Sequence, residues 1–191
     1  MSERGKYAGI FIGSSAGGLA ALSAIFSQLP EIFSLPIVVV QHRAKGNRDL
    51  LEEILAGKSA LRIEQASEKE AIRAGCIYLA PPDYHLLIEE DMTFSLSSAE
   101  PVVHSRPSID VLFESAALAL GRRLVGVVLT GASPDGSKGI TAIRRSGGLT
   151  VVQDPEEAEY AAMPRAAIAT GNVDKILPVQ GIAEFLRGLH A

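Results

Sequence analysis

The sequence predicts a doubly wound α/β fold, a mainly parallel sheet with helices on both faces, with a small antiparallel hairpin added to this Rossmann-like three-layer sandwich. Three observations predict it. Short runs that are apolar throughout, such as Pro36-Ile37-Val38-Val39-Val40 and Leu124 to Leu129, suit strands covered on both faces. Segments with apolar residues at helical spacing separate these runs. The alternation lapses only in the middle, where apolar runs follow one another with turn residues between them.

In chain order, Tyr7 to Ile12 reads as a buried strand. Leu19, Leu22, Ile25, Phe26 and Leu29 then share a helix face that Pro30 closes. Pro36 to Val40 is a second strand, too short and too β-branched for a helix. The next helix runs from a cap at Asn47 to Ala56, with Gly57 as its stop. Cys76 to Ala80 and His85 to Glu89 flank Pro81-Pro82-Asp83-Tyr84, and Thr93 to Leu96 follows, which suggests an antiparallel hairpin or meander. Ser108 caps a helix carrying Ile109, Leu112, Phe113, Ala116 and Leu120 on one face. A strand at Leu124 to Leu129, a helix at Ser137 to Arg145 and a strand at Leu149 to Val152 come next. Pro155 to Ala169 reads as two short helices broken at Pro164, before a strand at Lys175 to Leu177 and a closing helix at Ile182 to Leu189.

Composition narrows the function classes. With 191 residues and no visible linker or repeat, the chain reads as one domain, 1–191, which should bury roughly 70% of its unfolded surface. Net charge is −4 and basic residues cluster no further than Arg122-Arg123 and Arg144-Arg145, which argues against nucleic acid as a partner. Apolar runs are too short to span a bilayer, and no signal peptide precedes the first strand, so no membrane insertion is expected. The single cysteine, Cys76, excludes an internal disulfide. Together these features point to a cytoplasmic protein.

Three strand ends carry residues capable of chemistry. Gly13-Ser14-Ser15-Ala16-Gly17 matches the G-x-S-x-G nucleophile elbow and lies between a strand and a helix, as that motif requires. Flanking glycines let the backbone turn sharply and hold the hydroxyl out. Free amides of the following helix could then stabilise an oxyanion. The same stretch also fits a glycine-rich phosphate loop or a plain strand-to-helix turn. A dinucleotide fingerprint fits poorly, because G-x-G-x-x-G is absent and no acid ends the second strand. That strand ends instead in Gln41-His42, which offers His42 as a general base or as an ordinary surface histidine. After the Leu124 to Leu129 strand, Asp135 could orient an imidazole or cap the helix that starts near Ser137. Functional residues in such sheets gather at the strands' carboxyl ends, where all three stand.

Other candidates have simpler readings. His85 and His104 lack partners at metal spacing, so no metal is expected. His190 is near the terminus, Cys76 opens an apolar strand, and Glu156, Glu157 and Glu159 read as a solvated helix start.

Taken in order, these segments resemble the catalytic domain of the chemotaxis protein-glutamate methylesterases, the CheB family. The resemblance runs from about Tyr7 to Leu186. It rests on Ile12 to Gly18, Val38 to His42, Ile77 to Pro82, His104 to Phe113, Val128 to Gly136, Gln153-Asp154-Pro155 and Met163 to Ala167.

The resemblance implies Ser15 as nucleophile, His42 as base and Asp135 as acid. It implies hydrolysis of glutamate γ-methyl esters on chemoreceptor cytoplasmic helices through a glutamyl-serine intermediate, and deamidation of receptor glutamines as a second activity. No cofactor is implied. Partners would be the methyl-accepting receptors, together with regulatory signalling proteins acting in trans. Arg106, Tyr84 and Met163 fall at the pocket rim by motif position. Two departures bear on the pocket: Ala16 replaces the family's usual threonine, and Gly131-Ala132-Ser133 stands for its Gly-Met-Gly. No receiver domain, which the family usually carries ahead of the catalytic domain, is expected in 1–191. The alternative is an inactive signalling module of the same fold that binds without turnover.

Overall fold

The computed structural model describes residues 6–42 and 50–189. Seven strands form one sheet: β1 (Gly9–Ser14), β2 (Ile37–Gln41), β3 (Arg62–Gln65), β4 (Cys76–Leu79), β7 (Leu124–Val128), β8 (Leu149–Gln153) and β9 (Lys175–Leu177). Every pairing in it is parallel, in the order β3-β4-β2-β1-β7-β8-β9. A separate antiparallel pair, β5 (His85–Ile88) and β6 (Phe94–Ser97), makes the hairpin.

Alternation along the strands sorts the core into two layers. Ile10 and Ile12 of β1, with Ile37 and Val39 of β2, face one side. There they meet α1 (Gly18–Phe26), α2 (Leu51–Ala56) and α6 (Val179–Leu189) through residues such as Leu22, Leu55 and Leu186. Phe11, Val38 and Val40 face the other side, against α3 (Ile109–Leu120), α4 (Ser137–Arg145), α5 (Ala162–Ala169) and the hairpin. The five inner strands, β4, β2, β1, β7 and β8, bury side chains in both layers, and this explains why their sequences read as unbroken apolar runs.

The structure differs from the sequence expectations in several places. The strand β3, Arg-Ile-Glu-Gln, was not expected, because an edge strand with one face exposed has no apolar run. β4 joins the main sheet between β3 and β2 rather than the hairpin, so among the described strands only β5 and β6 pair antiparallel. The segment expected as two helices broken at Pro164 is one helix. Pro164 stands in the first turn of α5, where its missing N–H costs nothing. The Asn47 cap lies outside the described residues; α2 starts after Leu50, with no side-chain cap. β1 also starts two residues later than predicted and runs through Ser14, which makes Ser15 the first residue past the strand.

Strand β1 has the second strand on one side and β7 on the other, so the chain's winding reverses there. A crevice at the carboxyl ends of strands is expected at such a switch point. Ser15, His42 and the Asp135 loop leave β1, β2 and β7, the three strands that meet at this point.

Candidate active site

The register between β1 and β2 pairs Ser14 with Gln41, so Ser15 and His42 leave adjacent strands side by side. His42 N also donates to Ser14 O at 3.0 Å. Of the two serines, Ser14 is committed to the interior. It is fully buried, and its hydroxyl donates to Gln41 Oε1 at 2.7 Å. Gln41 spends its Nε2 on the carbonyls of Ser15 and His42, both at 2.8 Å. This clamp requires a glycine at 18, since a Cβ there would stand 2.0 Å from Gln41 Oε1. Ser15 is half-buried, and its hydroxyl has no hydrogen-bond partner among the described residues. Its backbone is pinned by Ser15 N to Thr130 O at 3.0 Å and Gly18 N to Ser15 O at 2.9 Å.

His42 Nε2 lies 2.8 Å from Asp135 Oδ2. Asp135 does not cap the helix that follows it, as its position in the sequence suggested. Its carboxylate reaches across to the start of α3. There Ile109 N donates to Oδ2 at 2.8 Å, while Asp110 N at 3.0 Å and Ser108 Oγ at 2.9 Å donate to Oδ1. Its own neighbour Gly136 N donates to Oδ1 at 3.0 Å. Burial works to raise the Asp135 pKa, but the bond to His42 and the two helix amides outweigh it and hold the carboxyl below the usual range. An ionised carboxylate only accepts hydrogen bonds, so His42 carries its proton on Nε2 and presents Nδ1 as the lone-pair nitrogen.

Nδ1 faces the turn before α3, where Ser105 Oγ approaches to 3.5 Å. That turn is strained: Val103 and His104 both have positive φ, 48° and 62°, between the bridged residues Val102 and Ser105. Behind Asp135 lies a second buried carboxyl, Asp110, whose Oδ1 accepts from Gly139 N at 2.8 Å. Burial, and then the negative charges of Asp135 and Glu114, push its pKa up to about 6.

A surface depression opens at Ser15, walled by Leu19, Ile54 and Glu159. Glu159 was read from sequence as part of a solvated helix start. It is exposed, but in a bend ahead of α5 rather than a helix start, and it stands beside the nucleophile turn, with Oε2 3.0 Å from where a Gly17 Cβ would be. The amides of Ala16 and Gly17 have no partner among the described residues. Below Ser15 the chain is packed closely: a Cβ on Gly131 would stand 2.9 Å from Ser15 Cβ and 2.5 Å from Met163 Cε.

Met163 is fully buried beneath Gly131 rather than on a rim. Arg106 ties its own loop, with Nη1 donating to Ser98 O and Ala99 O. Tyr84 is exposed beside the hairpin, and Cys76 is buried in β4. His85 is buried and bonds through its ring to Glu100 O and Ser108 N. His190 lies outside the described residues. Among the described residues no three His, Cys, Asp or Glu side chains converge as metal ligands would, and no helix is long and apolar enough to cross a membrane. Sequence reasoning missed Gln41 as the clamp, Ser105 at Nδ1, Asp110 behind the acid and Glu159 at the rim. Of these, Gln41 left a trace, as a polar residue ending an otherwise apolar strand.

Comparison with known proteins agrees with this architecture. The family model described as CheB methylesterase matches residues 10–186. A protein of Leptospira interrogans is 50% identical over 183 residues, which cover 95% of each chain. Another, from Anaeromyxobacter dehalogenans, is named protein-glutamate methylesterase/protein-glutamine glutaminase 2. It is 43% identical over 180 residues, covering 94% of this chain and 52% of that one, so here the chain spans about half of its relative. The crystal structure of the Thermotoga maritima CheB methylesterase catalytic domain superposes with a TM-score of 0.92 at 33% identity, covering 96% of this chain and 98% of that one. The shared sequence, the matched fold and the family model together establish that this chain belongs to the CheB methylesterase family.

Proposed function

We propose that this chain hydrolyses γ-methyl esters of glutamate on the cytoplasmic helices of chemoreceptors, with Ser15 as nucleophile, His42 as general base and Asp135 as its orienting carboxylate. The observation that carries the reading is the pairing of His42 Nε2 with Asp135 Oδ2 at 2.8 Å, because it leaves Nδ1 as the basic nitrogen on the residue beside Ser15. The Ser15 Oγ–H gives its proton to Nδ1 as Oγ bonds to the ester carbonyl carbon. The Ala16 and Gly17 amides, without partners among the described residues, would donate to the resulting oxyanion. The C–O bond to the methyl group's oxygen then breaks, and Nδ1 returns the proton to release methanol. Water, losing a proton to Nδ1, attacks the glutamyl-serine ester. Ser15 recovers its proton and the glutamate leaves. Replacing methanol by ammonia gives glutamine deamidation through the same steps, in keeping with the paired activities in the relative's name.

We place the working domain at 1–191. Methanol release from methylated chemoreceptor membranes, measured for the native chain and for Ser15→Ala, tests the proposal. Release by the native chain alone supports it. No release by a folded native chain rejects it and favours an inactive module that only binds. Equal release by both proteins rejects Ser15.

A further inference from the structure

At the end of the sheet away from Ser15, the chain entering β1, β7 and β8 borders a second cavity of about 480 Å³. The length of β1 puts it roughly 20 Å from the nucleophile. Among the described residues its walls carry Lys6, Arg122, Arg123 and Arg144 against one carboxylate, Asp174, with Tyr7 beside them. The chain as a whole is acidic, with net charge −4, so this concentration of cations runs against its average.

The carboxylate is largely spent. Asp174 Oδ2 accepts from Thr150 N and Thr150 Oγ1, both at 3.0 Å, and Oδ1 meets Arg144 Nε at 3.3 Å. The side chains of Arg122 and Arg123 have no hydrogen bond or ion pair among the described residues. Their backbone, by contrast, is fixed. They occupy a single 3-10 turn, Gly121–Arg123, between α3 and β7, and Arg123 O accepts from Ala8 N at 2.6 Å. The turn after α4 packs against them, for a Cβ on Gly147 would lie 3.3 Å from Arg122 Cβ. Held backbones with unspent guanidinium groups around a concavity describe a site set up for an anion. Guanidinium forks match phosphate oxygens in charge and geometry, and the volume suits a small ligand.

We propose that this cavity binds a phosphorylated small molecule through Arg122, Arg123 and Arg144, independently of chemistry at Ser15. The probe is inorganic pyrophosphate, titrated by calorimetry and by thermal melting against sodium chloride of matched ionic strength. The comparison variant is Arg122→Gln/Arg123→Gln, whose changes fall on exposed side chains. Saturable binding by the native chain, with a raised Tm and at least tenfold weaker affinity in the folded variant, supports the site. No saturable binding overturns it, as does equal affinity in the variant. Binding to vesicles containing phosphatidic acid without binding to pyrophosphate also overturns it, because the site would then read a membrane surface. Methanol release by the variant should match the native rate, and loss of release with intact folding would contradict the site's independence.

Discussion

Asp135 and Ile109 share one oxygen with the imidazole: Oδ2 lies 2.8 Å from Ile109 N and 2.8 Å from His42 Nε2. The first turn of α3 therefore holds the carboxylate by amides that would otherwise lack intrahelical partners. Helix-terminal donors favour negative charge, and they fix the oxygen that orients His42.

Asp135→Asn should test this directly. An asparagine keeps the shape, and with its carbonyl oxygen in the Oδ1 place, where Ser108 Oγ, Asp110 N and Gly136 N all donate, its NH2 faces His42 and the Ile109 amide. The imidazole would then carry its proton on Nδ1, where the lone pair is required. We expect kcat to fall by about 10³ to 10⁴ with little change in KM. A loss under tenfold would count against the orienting role.

The adjacent serines should separate stability from activity. Ser15→Ala removes a hydroxyl without a hydrogen-bond partner among the described residues, so its urea midpoint should stay close to native while kcat falls by several orders of magnitude. Ser14→Ala strips the donor from buried Gln41 Oε1, which should cost about 1–3 kcal/mol of stability with a much smaller effect on kcat. If both variants lost activity equally at unchanged stability, the assignment would fail.

Most of the fold was legible because its strands are buried on both faces and its helices carry one apolar stripe. β3 escaped because an edge strand such as Arg62-Ile63-Glu64-Gln65 needs only one apolar residue. The α5 region misled because a proline in a first turn looks, in sequence, like a breaker. The three candidate residues could be named since each follows an apolar strand. The contacts that orient them could not. Ser105 and Glu159 come from distant turns, and only the packed chain brings Asp135 to the start of α3 rather than to its own helix.

Asp110 should leave a signature in the pH dependence of stability. Its folded pKa is raised to about 6 from an ordinary carboxyl value, so the folded state holds this proton more tightly than the unfolded chain does. Its contribution is thus most favourable below the unfolded pKa and is lost as pH rises through about 6. Asp110→Asn retains an oxygen for Gly139 N but does not titrate. Between pH 4 and pH 7 the native chain should lose up to about 3 kcal/mol relative to this variant. Urea unfolding at four pH values measures the difference, and parallel curves would refute it.

Gly131 tests how tightly the nucleophile is seated. An alanine there meets both Ser15 Cβ and Met163 Cε, and Met163 is fully buried with little room to retreat. Gly131→Ala should cost about 1–3 kcal/mol by overpacking and reduce kcat by displacing Ser15. Pairing it with Met163→Ala should restore part of the activity. An unaltered kcat in the single variant would show that Ser15 does not depend on this contact.

Glu159 places a negative charge beside the turn whose free amides would meet a developing oxyanion. A nearby carboxylate opposes that charge in the transition state, and it also repels the carboxylate of the glutamate product. It should therefore slow the first chemical step while hastening release. Glu159→Gln is expected to raise single-turnover acylation of a neutral ester a few-fold at low salt, and to strengthen inhibition by a glutamate-containing product peptide. Both effects act through an exposed charge, so both should shrink as ionic strength rises toward 0.5 M and the screening length falls to roughly 4 Å. Stopped-flow acylation and product-inhibition constants at two salt concentrations would decide it. Faster acylation that ignores salt would mean that the change acted by reshaping the rim, and unchanged product inhibition would mean that Glu159 does not sense the product carboxylate at all.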